Sequence, residues 1–390
     1  MPAWLLPDHI SDILPVEARR LESTRRRLLD LYAGYGYSLV QPPLVEHVES
    51  LLIDSARDLD LRTFKVVDQA SGRLLGLRAD MTPQVARIDA HQIQHQGVTR
   101  LCYAGSVLHA QPAGLLSSRE PVHVGCELFG HAGVEADLEV QELALASLDA
   151  LGIQKVRLDL SHRGVFLALR DHDAGLAALE NDVLASLQSK DRVRLTQLVQ
   201  GLSPQTSKAL LALLDLYGPA SGSQNVIDRA RKELPAISAI TEALDRLQAV
   251  ANSAMFTEHP QCVLTVDLAD LRGYRYHNGV MFSIYCEGMA NAVVRGGRYD
   301  GVGKVFGRAR PATGFSLELR EILEATAPTP GTSADAAAAI AAPWRDDAAL
   351  RAAIAELRSR GHSVVRLPDA ELGSWSGKKL VEKSGAWQIG

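Results

Sequence analysis

Apolar residues recur at helical spacing after Pro15. Val16, Leu21, Leu28, Leu29 and Tyr32 fall on one stripe, which Gly34 and Gly36 end. The period then shortens. Residues 37–40 read as a strand stopped by Gln41-Pro42-Pro43, and 64–67 and 73–78 read as two strands around a Ser71-Gly72 turn. Thr82-Pro83 opens a predicted helix, since proline suits a first helical turn. Longer strands are expected over 101–104 and 122–129, with a Gly/Ser loop at 111–118 between them. An amphipathic helix over 135–151 and an alternating strand over 156–160 follow. From about 164 to 255 Leu and Ala recur at helical period, broken by Gly201, Pro204, Gly218-Pro219 and Pro235, so this stretch reads as an all-helical insertion. Strand patterns return at 263–268, 282–285 and 292–295. A Pro/Thr/Gly-rich linker is expected at 326–333, followed by a strand (338–342), a helix (347–360) and a strand (363–367).

Strands separated by turns and interrupted irregularly by helices predict an α+β fold, with a mostly antiparallel sheet flanked by helices. The expected organisation is a core over 1–325 carrying the insertion, the linker at 326–333, and a small, truncated α/β unit over 334–390.

Composition narrows the function classes. Of 390 residues 46% are hydrophobic and 22% charged, enough apolar content for a sizeable core. A net charge of -5 argues against a protein built to coat nucleic acid. Cys102, Cys126, Cys262 and Cys286 lie far apart with no Cys-x-x-Cys pair, which argues against a zinc ribbon or disulfide scaffold and for reduced thiols in a cytoplasmic protein. Neither a signal peptide nor an apolar run long enough to span a bilayer is evident, so no membrane partner is expected.

Three stretches concentrate chemistry. In Arg295-Gly296-Gly297-Arg298-Tyr299-Asp300-Gly301 a glycine pair after a strand either lets backbone approach a ligand or makes a turn with a surface ion pair. In Leu77-Arg78-Ala79-Asp80-Met81-Thr82-Pro83, Asp80 or Thr82 can cap the coming helix, and the same pair can grip an ammonium group. In the stretch from Leu271 to Gly279, Arg272 or Arg275 can hold a carboxylate or phosphate, while His277 reads equally as a turn residue. No P-loop, His-Glu-x-x-His zinc site or Gly-x-Ser-x-Gly elbow is present, so no metal or cofactor is expected.

Taken in order, these stretches resemble the class II histidyl-tRNA synthetase core. Residues 37–46 are similar to its dimerisation motif and 77–82 to its histidine-ammonium segment. Gly125-Cys126-Glu127-Leu128-Phe129-Gly130 is similar to the strand ending motif 2, 272–278 to the histidine-specific loop, and 296–301 with Gly314-Phe315 to the approach to motif 3. The departures are chemical. His109 stands where the resemblance expects the α-phosphate arginine, and Gln111 where it expects an acid. Arg320-Glu321 inverts the Glu-Arg of motif 3, Arg275 replaces an acid, His277 a tyrosine and His123 a glutamine. A mostly neutral imidazole cannot reproduce a permanently charged bidentate fork.

A synthetase-like core with a damaged adenylation site and a short C-terminal unit resembles the regulatory-subunit family of short-form ATP phosphoribosyltransferase. That resemblance implies a chain with no catalytic residues of its own. It implies a homodimer through the motif 1-like region, joined to a separate short catalytic subunit in a hetero-octamer. It also implies activation of that subunit in the first step of histidine biosynthesis and feedback by histidine. A vestigial histidine pocket would use Asp80 and Thr82 for the ammonium, Arg272 for the carboxylate, and Glu127 and Tyr276 as walls. The effector site stands alternatively at the subunit interface. Competing readings are a divergent histidyl-tRNA synthetase and a synthetase-like amino-acid sensor; the acidic balance argues against tRNA binding.

Overall fold

The computed structural model describes residues 5–51, 57–112, 114, 117–273, 277–289, 291–326 and 339–390. In chain order the strands are β1 (Ser38–Leu39), β2 (Val45–His47), β3 (Lys65–Val67), β4 (Leu74–Leu77), β5 (Thr99–Ser106), β6 (Val122–Phe129), β7 (Val156–His162), β8 (Tyr217–Pro219), β9 (Cys262–Asp267), β10 (Val280–Cys286), β11 (Val294–Arg298), β12 (Ala312–Glu318), β13 (Ile340–Pro343), β14 (Val364–Leu367), β15 (Leu380–Lys383) and β16 (Ala386–Ile389). The chain divides into two compact units, 1–13 with 21–326 and 14–20 with 327–390.

The larger unit is built on a nine-stranded sheet ordered β1-β5-β6-β12-β11-β10-β7-β9-β8. Among its described residues only the β1–β5 and β7–β9 pairings are parallel. Side chains alternate between the two faces along each strand. One face is apolar: Val124, Cys126 and Leu128 of β6, Phe315 and Leu317 of β12, Phe282 and Ile284 of β10, and Leu158 and Leu160 of β7 are all buried in the main core. The helices Pro15–Gly34 and Val134–Ala150 cover that core, through Leu28 and Tyr32 from the first and Val140, Leu143, Ala144 and Leu148 from the second. Tyr32 meets Phe315 edge-on, with ring centroids 6.1 Å apart. The opposite face is polar at its centre, while toward the β5 edge Leu101, Tyr103, Phe129 and Ala312 pack with the helix Thr82–Ile88 in a second apolar cluster.

The residues after β7 form successive helices from Arg163–His172 to Met255–Glu258. The stretch is not wholly helical: β8 pairs antiparallel with β9 and closes one edge of the large sheet. Its hydrogen bonds lie with a strand some fifty residues on, so local periodicity carries no sign of it.

The glycine pair of the 295–301 stretch also departs from expectation. Gly296 and Gly297 lie inside β11, paired with β10 and β12, rather than in a turn after it. At 296 a Cβ would strike the Phe282 ring and the Gly314 carbonyl, so glycine is required by crowding between strands.

The smaller unit places β13 and β14 parallel around the helix Ala348–Ser359. The tail folds into the β15–β16 hairpin, and Ala341 N–H donates to the Lys378 carbonyl at 2.9 Å. The expected linker falls almost wholly outside the described residues.

Candidate functional site

A cavity of about 1100 Å³ opens on the polar face of the large sheet. Its floor is set by register. Glu127 (β6), Gly314 (β12), Gly297 (β11) and Met281 (β10) stand in one row. Gly125, Ser316, Arg295, Ser283 and Asp159 form the next.

One end is acidic and phenolic. Leaving β4, the chain passes Asp80 and enters the helix Thr82–Ile88. Asp80 Oδ1 accepts from the Thr82 N–H at 3.3 Å and from its hydroxyl at 3.5 Å. Tyr103 donates to Glu127 Oε1 at 3.1 Å, so the Thr82 hydroxyl has one proton to share between Asp80 and the Tyr103 oxygen 3.3 Å away. The Tyr299 hydroxyl donates to Glu127 Oε2. Asp80 and Thr82 are thus joined through Tyr103 to Glu127, which lies far along the chain from them. Glu127 is 1% exposed, and burial raises its pKa to about 8, against the pull of its tyrosine donors. At neutral pH it is largely a neutral acid.

The histidines of the wall are neutral as well. Burial, with the Arg62 charge beside it, lowers His109 to about 4; its Nε2 lies 2.9 Å from Arg62 Nη2 and 3.1 Å from the Ala79 carbonyl. His123 is also lowered by burial, and among the described residues its buried Nδ1 has no hydrogen-bond partner. His277, half-buried, lines the cavity while its backbone N–H donates to the Gly273 carbonyl at 3.3 Å; burial lowers its pKa to about 4.

The other end sets Arg272 and Arg295 among carboxylates that include Asp159, Asp270 and Glu321. Arg272 places Nε and Nη2 on the two oxygens of Asp270, each at 2.7 Å, and donates to the Tyr285 hydroxyl at 2.7 Å. It lines the cavity as half of an ion pair. Arg295 lines the same wall, and Tyr276 and Arg275 lie outside the described residues.

Two residues that sequence reasoning passed over shape the site. Arg62, from the helix Arg57–Arg62, brings a guanidinium to His109, so a cation does reach this wall, from a different element than the resemblance expects. Tyr103 links Thr82 to Glu127; the alternation of β5 about the Glu127 register was its only signal. Arg298, by contrast, is structural. It points to the core side, 3% exposed, with Nη2 2.9 Å from Asp137 Oδ1 and donors on the His131 and Gly133 carbonyls. Asp300 braces it and accepts from the Ala312 N–H at 2.8 Å.

No helix among the described residues is long and apolar enough to cross a membrane. Known proteins share this architecture. The histidyl-tRNA synthetase family model matches residues 9–322, and the model described as ATP phosphoribosyltransferase subunit HisZ C-terminal domain matches 337–390. A solved structure titled ATP phosphoribosyltransferase regulatory subunit/histidyl-tRNA synthetase, from Bacillus halodurans, superposes with a TM-score of 0.81 at 24% identity, covering 97% of each chain. The ATP phosphoribosyltransferase regulatory subunit of Burkholderia thailandensis is 52% identical, covering 100% of this chain and 99% of its own. That of Cupriavidus pinatubonensis is 53% identical over 99% of this chain and 98% of its own. With identity of this order running through both the synthetase-type core and the C-terminal unit, the chain belongs to the ATP phosphoribosyltransferase regulatory subunit family.

Proposed function

We propose that this chain is a non-catalytic subunit that activates a separate, short ATP phosphoribosyltransferase catalytic subunit in the first step of histidine biosynthesis, in the cytosol, and makes that step sensitive to histidine. Full-length identity to relatives named as regulatory subunits carries the reading. The cavity supports the loss of catalysis. His109, at the position where the resemblance expects a phosphate-binding arginine, is neutral and held by Arg62 and a carbonyl. Glu321 brings negative charge to the wall where motif 3 should supply an arginine. Both changes disfavour a triphosphate.

Asp80 and Thr82 are the proposed ammonium grip, Glu127 a neutral wall, and Arg272 the carboxylate contact, with Tyr276 completing the loop. Exposed Leu39, Leu44 and Val45, at 48%, 43% and 40%, give the motif 1-like region an apolar surface suited to a second copy in a hetero-octamer.

Mixing the chain with the short catalytic subunit and following phosphoribosyl transfer from PRPP to ATP tests the proposal. Activity and histidine sensitivity must both depend on the added chain. Equal activity and equal sensitivity of the catalytic subunit alone defeats it. Histidine-dependent ATP–pyrophosphate exchange by the isolated chain would establish a synthetase instead. Calorimetry with histidine, on the chain alone and on the complex, separates a pocket site from an interface site.

A further inference from the structure

Across the middle of the large sheet, Ser283 on β10, Arg295 on β11 and Ser316 on β12 stand in one register row on the cavity wall. Adjacent strands lie about 4.8 Å apart, so the two hydroxyls flank the arginine stem within a span of roughly 10 Å. Among the described residues none of the three side chains has a hydrogen-bond or ion-pair partner. The arginines around them do. Arg157 meets Asp159 at 2.9 Å, Arg272 is forked on Asp270 at 2.7 Å, and Arg320 meets Glu324 at 3.1 Å.

Arg295 is open to the cavity, yet the walls remove enough water to lower its pKa, and the like charge of Arg272 adds to that. The carboxylates of Asp270 and Glu321 act on it through space without pairing to it. A guanidinium open to the cavity and hydrogen-bonded to neither carboxylate keeps its donors available to an incoming anion. Guanidinium also offers a planar fork of donors suited to oxyanions. The expected carboxylate contact, Arg272, already holds a carboxylate of its own; Arg295 does not.

We propose that the Ser283–Arg295–Ser316 row is an oxyanion subsite of the cavity, which takes the carboxylate or phosphoryl group of a small ligand. It lies two strands across and two residues along from Glu127, roughly 12 Å between Cα atoms. A ligand reaching both therefore holds its anionic group well away from the group that meets Glu127. The subsite does not depend on the amino-acid reading of Asp80 and Thr82.

Ligand-observed NMR titration of the purified full chain at low ionic strength, with inorganic phosphate and separately with acetate, tests it. At least one anion binds saturably. Affinity falls about tenfold or more in Arg295→Gln and a few-fold in Ser316→Ala. Arg194→Gln, which alters an exposed cation paired to Asp182 away from the cavity lining, keeps wild-type affinity. Preference for phosphate identifies a phosphoryl site, and preference for acetate a carboxylate site. Equal affinity in wild type and Arg295→Gln, or no saturable binding of either anion, overturns the proposal. Ser316→Ala removes a single oxygen from a partly buried position, so it carries the test if Arg295→Gln does not fold; unchanged affinity in it then counts against the site.

Discussion

Gly314 on β12 stands opposite Glu127 on β6, and the Glu127 carboxyl lies where a Cβ at 314 would project. The Cys126 carbonyl crowds the same spot at 2.5 Å. Gly314→Ala therefore pushes the carboxyl off the Tyr103 and Tyr299 hydroxyls or moves the strand. Overpacking of this kind costs about 1–3 kcal/mol. The expected outcome is a lower urea midpoint at unchanged slope.

Glu127 gives stability a particular pH dependence. Its folded pKa, about 8, lies above its ordinary value of 4.5, so the folded state holds the proton more tightly than the unfolded chain. Its contribution is greatest below about pH 4.5 and is lost as pH rises toward 8. The loss across that window is on the order of 3–5 kcal/mol. Glu318, raised to about 7 by burial, has the same sign. Glu127→Gln should remove that loss, leaving the fall from Glu318 and, of opposite sign below about pH 6.5, the rise from His109, His162 and His277, whose pKa values burial lowers to about 4. Urea unfolding at pH 5.5 and pH 8 measures this; an unchanged difference between the two pH values contradicts a neutral Glu127.

Arg298 and Asp137 form an ion pair with both partners almost wholly buried, 3% and 2% exposed, tying β11 to the first turn of the helix Val134–Ala150. Removing one partner strands the other charge. Arg298→Met should cost about 3–5 kcal/mol, and adding Asp137→Leu should recover much of that loss. Because Arg298 turns away from the cavity, any ligand bound there by the double variant should show wild-type affinity. Thermal unfolding and a binding titration on the same samples check both halves.

How much of this was legible in the sequence divides along a physical line. Elements whose signal is local were readable: the alternation of Val122–Phe129, the amphipathic helix at Val134–Ala150, and the glycine and proline punctuation between them. The meeting of Asp80, Thr82 and Glu127 was anticipated only through the ordered resemblance of their motifs to a known family. What stayed hidden depends on register and crowding. Gly296-Gly297 looks like a turn until the Phe282 ring is seen beneath it. Arg295 looks like one more arginine until its neighbours are seen paired and it is not. Arg62 reaches His109 across 47 residues of chain, which no spacing rule encodes.

The four cysteines should be inert in the native protein. Cys102 and Cys126 are cross-strand partners on the core face of β5 and β6, and all four thiols are free and buried. Burial raises Cys102, Cys262 and Cys286 to about 11, and raises Cys126 further. Thiolate is the reacting species, so near pH 8 both its scarcity and the packing around it suppress attack. Ellman's reagent should therefore label none of the four quickly in buffer and all four in denaturant. Cys262, at 9% exposure, and Cys286, at 7%, should respond before Cys126, at 0%, as denaturant is raised. Rapid labelling of Cys126 in native buffer would mean that the β5–β6 core opens far more readily than its packing implies.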